Sequence, residues 1–359
     1  PNISPNGNHV LYQVEKGEKD ATLQVKDTKG KLILEHQRVE KAAFTYNSDF
    51  VLFTITAWQD SVRAMKSRKT KKEDMPKDSL GILNLSTNQL TKIANVKSFE
   101  IPEKWSGHVA YYLDEIKEEK KEDTLSDATK KKKKPKKVGK KNGYHLVLRN
   151  LNTGKQDTMP YVTDFTFAKK GKVLAYTTTG KDKDADAAVY VRDLESDKTT
   201  ELHSARKAKY FNLSLSDSGT HLGFVTDTDT TKIQIRPNEL YRWTKGNETA
   251  SKILDANGAP KGYMVSAHGD IEFSKDESKL FFGLATPPIL KDTTLTEDEI
   301  VNVEVWTYDE PRLYTVQELQ LKNDSIASYH AVVHLKDNKI IPLATSDFPN
   351  TELGDEGNA

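Results

Sequence analysis

"LVLRNLNTGKQDTMP" occupies residues 146–160. Apolar and polar residues alternate, the run breaks on Asn152-Thr153-Gly154-Lys155, and a second extended run follows. This is the pattern of a β-hairpin: alternation turns one face of each strand inward, and Asn and Gly tolerate tight-turn backbone. Alone, the stretch gives two strands. The fold follows because the phrase returns, as "LQVKDTKGKLILE" (23–35), "LGILNLSTNQLTKIA" (80–94), "VYVRDLESDKTTELH" (189–203), "LYRWTKGNETASKIL" (240–254) and "HAVVHLKDNKIIPLA" (330–344).

A second phrase alternates with it: a polar turn, then an apolar triplet ending in an aromatic. It reads "ISPNGNHVLY" (3–12), "YNSDFVLF" (46–53), "EKWSGHVAYY" (103–112), "FAKKGKVLAY" (167–176), "LSDSGTHLGF" (215–224) and "FSKDESKLFF" (273–282). The triplets begin at Val10, Val51, Val109, Leu174, Leu222 and Leu280, so the period runs from about 40 to about 65 residues. A blade of four short strands needs about 40–50, and the excess falls in insertions. Triplets such as Leu280-Phe281-Phe282 are apolar on both faces of the pleat, which suits sheets stacked face to face. The expected fold is all-β, a propeller of four-stranded antiparallel blades. Six blades are visible, with the start of a seventh in 345–359, for seven or eight altogether. No segment carries a sustained 3.6-residue apolar stripe, which excludes a helix bundle. A β-sandwich would not need a fixed two-phrase repeat.

The chain of 359 residues reads as a single propeller domain, 1–359, incomplete at both ends. Pro1 opens within a repeat and the last residues begin another, so more protein is expected on either side. Net charge is +1, but Lys130–Lys141 holds nine lysines and no acid, leaving the rest near −8. With no cysteine, disulfides, thiolate metal sites and a cysteine nucleophile are excluded. No apolar run approaches the roughly 20 residues of a membrane-spanning helix.

Three insertions stand out. Residues 115–143 are Lys-rich and almost free of apolar residues, so a disordered exposed loop is expected. Polylysine can neutralise phosphates, but no aromatic or Arg is interleaved for base contact, and no nucleic-acid partner is expected. Residues 57–78 leave room for a short helical turn in "SVRAMKSRKTKKEDMP". Residues 286–330 interrupt the sixth blade between its second and third strands. Within them "WTYDEPRLY" (306–314) clusters aromatic and charged groups. Such clusters suit recognition of a peptide terminus or a partner domain. Trp306, Asp309, Glu310 and Arg312 are therefore the candidate contact residues. The plainer reading is a surface excursion whose Trp plugs a gap between blades.

No nucleophile elbow G-x-S-x-G is present. "GYMVSAHG" (262–269) comes nearest, but Ser266 and His268 lie in what reads as a surface loop. The nine histidines form no metal-binding spacing, and "DKDADAAVYVRD" (182–193) matches a calcium loop only in part, lacking its glycine. No catalytic residue, cofactor or metal site is expected in this chain.

The repeated "SPNGNHVLY … LQVKDTKGK" phrasing, with the long insertion "VEVWTYDEPRLYTVQ … SYHAVVHLKDNKIIPLA", resembles the N-terminal propeller of the prolyl oligopeptidase family of serine peptidases, in a subgroup associated with exported proteins of Bacteroidetes-type bacteria. The resemblance covers the whole chain. It implies a C-terminal α/β-hydrolase domain of the same polypeptide carrying Ser, Asp and His, with this propeller gating entry of short peptide substrates. It also implies a periplasmic or secreted location. The turn phrase is shared with TolB-like propellers, so a non-enzymatic interaction scaffold is the alternative.

Overall fold

A computed structural model of the chain describes residues 1–15, 20–114, 138–180, 186–231, 233–290, 292, 294–296, 298–300, 303, 307–310, 312–354 and 357. It divides into two compact units, residues 1–185 with 192–198, and residues 186–191 with 199–359.

In the first unit the strands pair in chain order. One sheet holds β1 (Asn2–Ile3), β2 (His9–Val14), β3 (Thr22–Asp27) and β4 (Leu32–Gln37). The next holds β5 (Val39–Phe44), β6 (Phe50–Ile55), β7 (Ser79–Asn84) and β8 (Gln89–Ala94), with helix α1 (Gln59–Ser67) between β6 and β7. Then follow β9 (Val96–Glu100), β10 (His108–Leu113), β11 (Tyr144–Asn150), β12 (Gln156–Phe167) and β13 (Val173–Thr178). Strand β12 serves two repeats: Gln156–Met159 pairs with β11, and Asp164–Phe167 with β13.

The second unit contains β14 (Asp186–Asp193) beside β15 (Lys198–Arg206), then a sheet of β16 (Lys209–Leu215), β17 (His221–Asp227), β18 (Glu239–Thr244) and β19 (Ser251–Leu254). In its last sheet the first strand is split into β20 (Met264–Val265) and β21 (Glu272–Phe273), both paired with β22 (Lys279–Ala285). Helix α2 (Tyr314–Ser325) separates β22 from β23 (Tyr329–His334), and β24 (Lys339–Pro342) closes the sheet. Sequential antiparallel four-stranded blades make the fold class that of a β-propeller, as the repeat predicts. Residues 345–354 and 357 form no strand. Among the described residues no helix is long and apolar enough to cross a membrane.

The two-faced apolar triplets explain how blades pack. In β6, Val51, Phe53 and Ile55 join a core cluster with Leu11, Leu23 and Val25 of the preceding sheet. Their neighbours Phe50 and Leu52 point the other way, into a cluster with Phe99, Val109 and Tyr111 of the following sheet. A period of two thus buries both faces. In the second unit Val225 and Leu240 of one sheet meet Leu280, Phe282 and Val333 of the next. Gly81 is where this packing leaves no room: a Cβ there would lie 2.5 Å from the ring of Phe53, its cross-strand partner.

Both recurring phrases have a hydrogen-bond explanation. In the turn before the second strand, a buried hydroxyl accepts the backbone N–H five residues on: Ser4 from His9 at 2.9 Å, Thr45 from Phe50 at 3.1 Å, Ser216 from His221 at 3.1 Å, and Ser274 from Lys279 at 3.0 Å. In the turn before the fourth strand, a carbonyl or carboxylate oxygen accepts the N–H groups two and three residues on. Asn84 takes Ser86 and Thr87, Asn150 takes Asn152 and Thr153, and Asp193 takes Glu195 and Ser196. These Asx turns are why Asn or Asp opens the phrase.

Candidate functional site

Antiparallel order puts two kinds of connection at one end of each sheet: the link from one blade to the next, and the loop joining second and third strands. Every long excursion is of the latter kind, at 56–78, 114–143, 228–238 and 286–328, whereas the opposite end carries tight turns. The blade links of the first unit each pass through one residue in the left-handed region: Arg38 (φ 68°), Asn95 (φ 58°) and Tyr161 (φ 57°). The carbonyl of each accepts an N–H from the head of the neighbouring excursion: Thr56 at 2.8 Å, Asp114 at 2.8 Å and Thr179 at 3.1 Å. A non-glycine residue held there costs roughly 1 kcal/mol, so each link is fixed by its surroundings.

At the first of these links lies a cleft of about 970 Å³, between the Arg38 junction and helix α1. Val62 and Met65 are the half-buried apolar residues of α1. Polar lining comes from Arg38, Glu40 and Asp78 among others. The Arg38 guanidinium sits 4.8 Å from the Trp58 ring centroid, and its Nη1 donates to the Thr56 carbonyl at 3.2 Å. Half-burial, and then the charge of Glu40, raise the Asp78 carboxyl above the usual carboxylate range, while the Ala57 N–H works against the rise. The two carboxylates therefore feel one another.

A second charged cluster follows along β9 to β12 of the same unit. Glu100 of β9 is open to water but deep among protein atoms; burial, and then Asp164, raise its carboxyl. The Tyr112 hydroxyl is buried without a hydrogen-bond partner among the described residues, and its ring packs edge-on against Phe165 at 5.0 Å. Lys97 donates to the Tyr144 hydroxyl at 2.6 Å. At the turn end of this unit, Arg192 Nη2 donates to Asp157 at 2.6 Å and to Asp197 at 2.5 Å, with Lys155 adding 3.1 Å to Asp197. Its charges are paired, which marks it as a structural clamp.

The residues singled out in the excursion of the sixth blade fare differently. Trp306 lies outside the described residues, as do Asp182 and Asp184 of the partial calcium-loop match. Asp309 is exposed. Glu310 accepts from Gln317 Nε2 at 3.3 Å. Arg312 donates to Asp324 at 2.9 Å and to Gln320 at 2.6 Å. Glu310 and Arg312 are thus brought together on α2, where Arg312 fastens the incoming loop to the helix. Ser266 is buried, not on a surface loop: its hydroxyl accepts the N–H of His268 and of Gly269, both at 3.1 Å, shaping the break between β20 and β21.

Two histidines touch a threonine hydroxyl, His221 with Thr244 at 3.1 Å and His330 with Thr351 at 2.6 Å, while His203 meets the Tyr210 phenol at 2.9 Å. Among the described residues no carboxylate hydrogen-bonds a histidine ring, so none of these pairs has the third group that orients a general base. Among them, too, no group of three His, Asp or Glu could hold a metal ion. Arg38, Glu40, Trp58 and Asp78 have no local motif. They come from a blade link, a strand and the two ends of an excursion.

No family model matches the chain, and no curated protein matches it. Solved structures do. An oligogalacturonate lyase in complex with manganese aligns at 8% identity and TM-score 0.42, over 96% of this chain and 76% of that one. The β-propeller domain of the Trilobed protease from Pyrococcus furiosus aligns at 12% and 0.37, over 97% and 81%. Pyrococcus horikoshii acylaminoacyl peptidase aligns at 12% and 0.37, over 77% of this chain and 41% of that one. At such values the fold assignment rests on this chain's own strand order and packing.

Proposed function

We propose that this chain is the gating or capping propeller of a serine peptidase that cleaves short peptides, inert by itself, with the Ser, Asp and His on an α/β-hydrolase domain of the same polypeptide. The observation that supports this most is the excursion of the sixth blade. Helix α2 has no buried residue, and Leu313, Leu319 and Leu321 are 75%, 83% and 68% exposed. Exposed aliphatic side chains concentrated on one excursion are what a surface looks like before another domain covers it. Asp309, Glu310 and Arg312 lie just before α2, and Trp306 belongs to the same stretch, so these four remain the proposed contacts for that domain or for a substrate terminus. The charged cluster on β9 to β12 of the first unit adds polar groups suited to unfolded peptide. The resemblance in repeat phrasing supplies the reaction class and the periplasmic or secreted location.

The test is peptide hydrolysis. The chain alone is expected to release no p-nitroaniline from peptide p-nitroanilides, whereas the full gene product cleaves them and prefers peptides of a few residues over long ones. Turnover by the chain that survives repurification refutes the proposal. A full gene product without peptidase activity would favour the interaction scaffold.

A further inference from the structure

The cleft under α1 contains opposite charges that do not neutralise one another. Arg38, Glu40 and Asp78 all line it, and among the described residues no ion pair within 4.0 Å joins Arg38 to either carboxylate or gives Asp78 a cation. Side chains of opposite sign that share a cleft ordinarily close on each other, because each loses hydration on burial. Here each is held by other groups. Arg38 is stacked on Trp58 at 4.8 Å and tied to the Thr56 carbonyl at 3.2 Å. Its backbone is locked too, its N–H on the Ala21 carbonyl at 2.7 Å and its carbonyl accepting from Thr56. This leaves Nε and Nη2 as spare donors, in the planar fork that matches a carboxylate. Asp78 lies at the far end of the same excursion, where the Val96 N–H donates to its carbonyl at 2.9 Å. Its carboxylate and that of Glu40 together make a negative point with no cation seated on it among the described residues, although Arg63 and Lys66 of α1 line the same cleft.

We infer that this cleft binds a small zwitterion of amino-acid or dipeptide size, its carboxylate on the Arg38 guanidinium and its ammonium on Asp78 and Glu40. Apolar lining from Val62 and Met75 would pack its side chains. A volume of about 970 Å³ is ample for such a ligand. The site lies wholly within the first unit and does not depend on the peptidase reading above.

Trp58, 46% exposed and stacked on Arg38, provides the readout. The full chain is titrated with L-alanyl-L-alanine, with its N-acetyl derivative and with its C-terminal amide, following tryptophan fluorescence with Trp58→Phe as the control, and calorimetry in parallel. Saturable binding of the dipeptide is expected, weakened at least tenfold by either block. Arg38→Gln should erase the distinction between acid and amide. Asp78→Asn should erase the distinction between free and acetylated amine. Asp78→Asn is near-isosteric and Arg38→Gln keeps an unbranched stem, and circular dichroism melts verify that each variant is folded; Glu40→Gln is the exposed alternative to Asp78→Asn. No saturable dipeptide binding at millimolar concentration, or binding that ignores all three variants, overturns the inference.

Discussion

The Ser216 hydroxyl, 1% exposed, holds the turn of the fifth repeat by accepting the His221 N–H, and the same bond recurs at Ser4, Thr45 and Ser274. Ser216→Ala should cost about 1 kcal/mol, since it leaves a part-buried N–H without its acceptor, and urea unfolding measures it. Ser218→Ala in the same turn touches only exposed groups and should cost clearly less. Glu100 gives a pH signature. Its folded-state carboxyl titrates higher than an ordinary one, so ionising it disfavours the fold. That penalty is absent below the usual carboxylate range and complete above the raised value. Glu100→Gln should therefore raise the melting temperature at neutral pH, and the gap should vanish near pH 4 or below. An equal gap at every pH contradicts this. The turn residues were legible in the sequence because their bonds are local, a few residues from donor to acceptor. Arg38 and Asp78 were not, because they become neighbours only through a blade link and a helical excursion some forty residues apart, a closeness no spacing rule encodes.

The strands announce themselves through alternation, and those buried on both faces through unbroken apolar runs. Phe53→Ala in β6 should cost about 3–5 kcal/mol, because the ring is fully buried between two sheets. The excursions were legible as insertions but not in their contents. The sequence leaves room for a short helical turn at α1, and the helix runs nine residues. Helix α2 has no signature in the sequence, since Leu319 and Leu321 lie two residues apart and make no stripe of helical period. What organises α2 is side-chain chemistry: Arg312 reaching Asp324 and Gln320. Replacing 287–327 by a short Gly-Ser linker should leave the chain's unfolding midpoint nearly unchanged, because α2 buries nothing. The same deletion in the full gene product should uncouple the propeller from the hydrolase domain, read as a loss of preference for short over long peptides.

For the molecule as a whole, the repeat carried the architecture because a blade cannot bury both of its apolar faces alone; it needs another on each side. Function is less legible at this scale, since a propeller is a platform whose chemistry sits in its excursions. The central claim is that catalysis belongs to a hydrolase domain on the same polypeptide and not to these 359 residues. The most direct measurement is to label the natural protein, purified from its source cells, with a fluorophosphonate that modifies activated serines, and to locate the adduct by peptide mass spectrometry. The account predicts one modified serine within a G-x-S-x-G peptide on this polypeptide but outside the 359 residues. An adduct on any serine of this chain, or a natural protein that takes up no label, would contradict it.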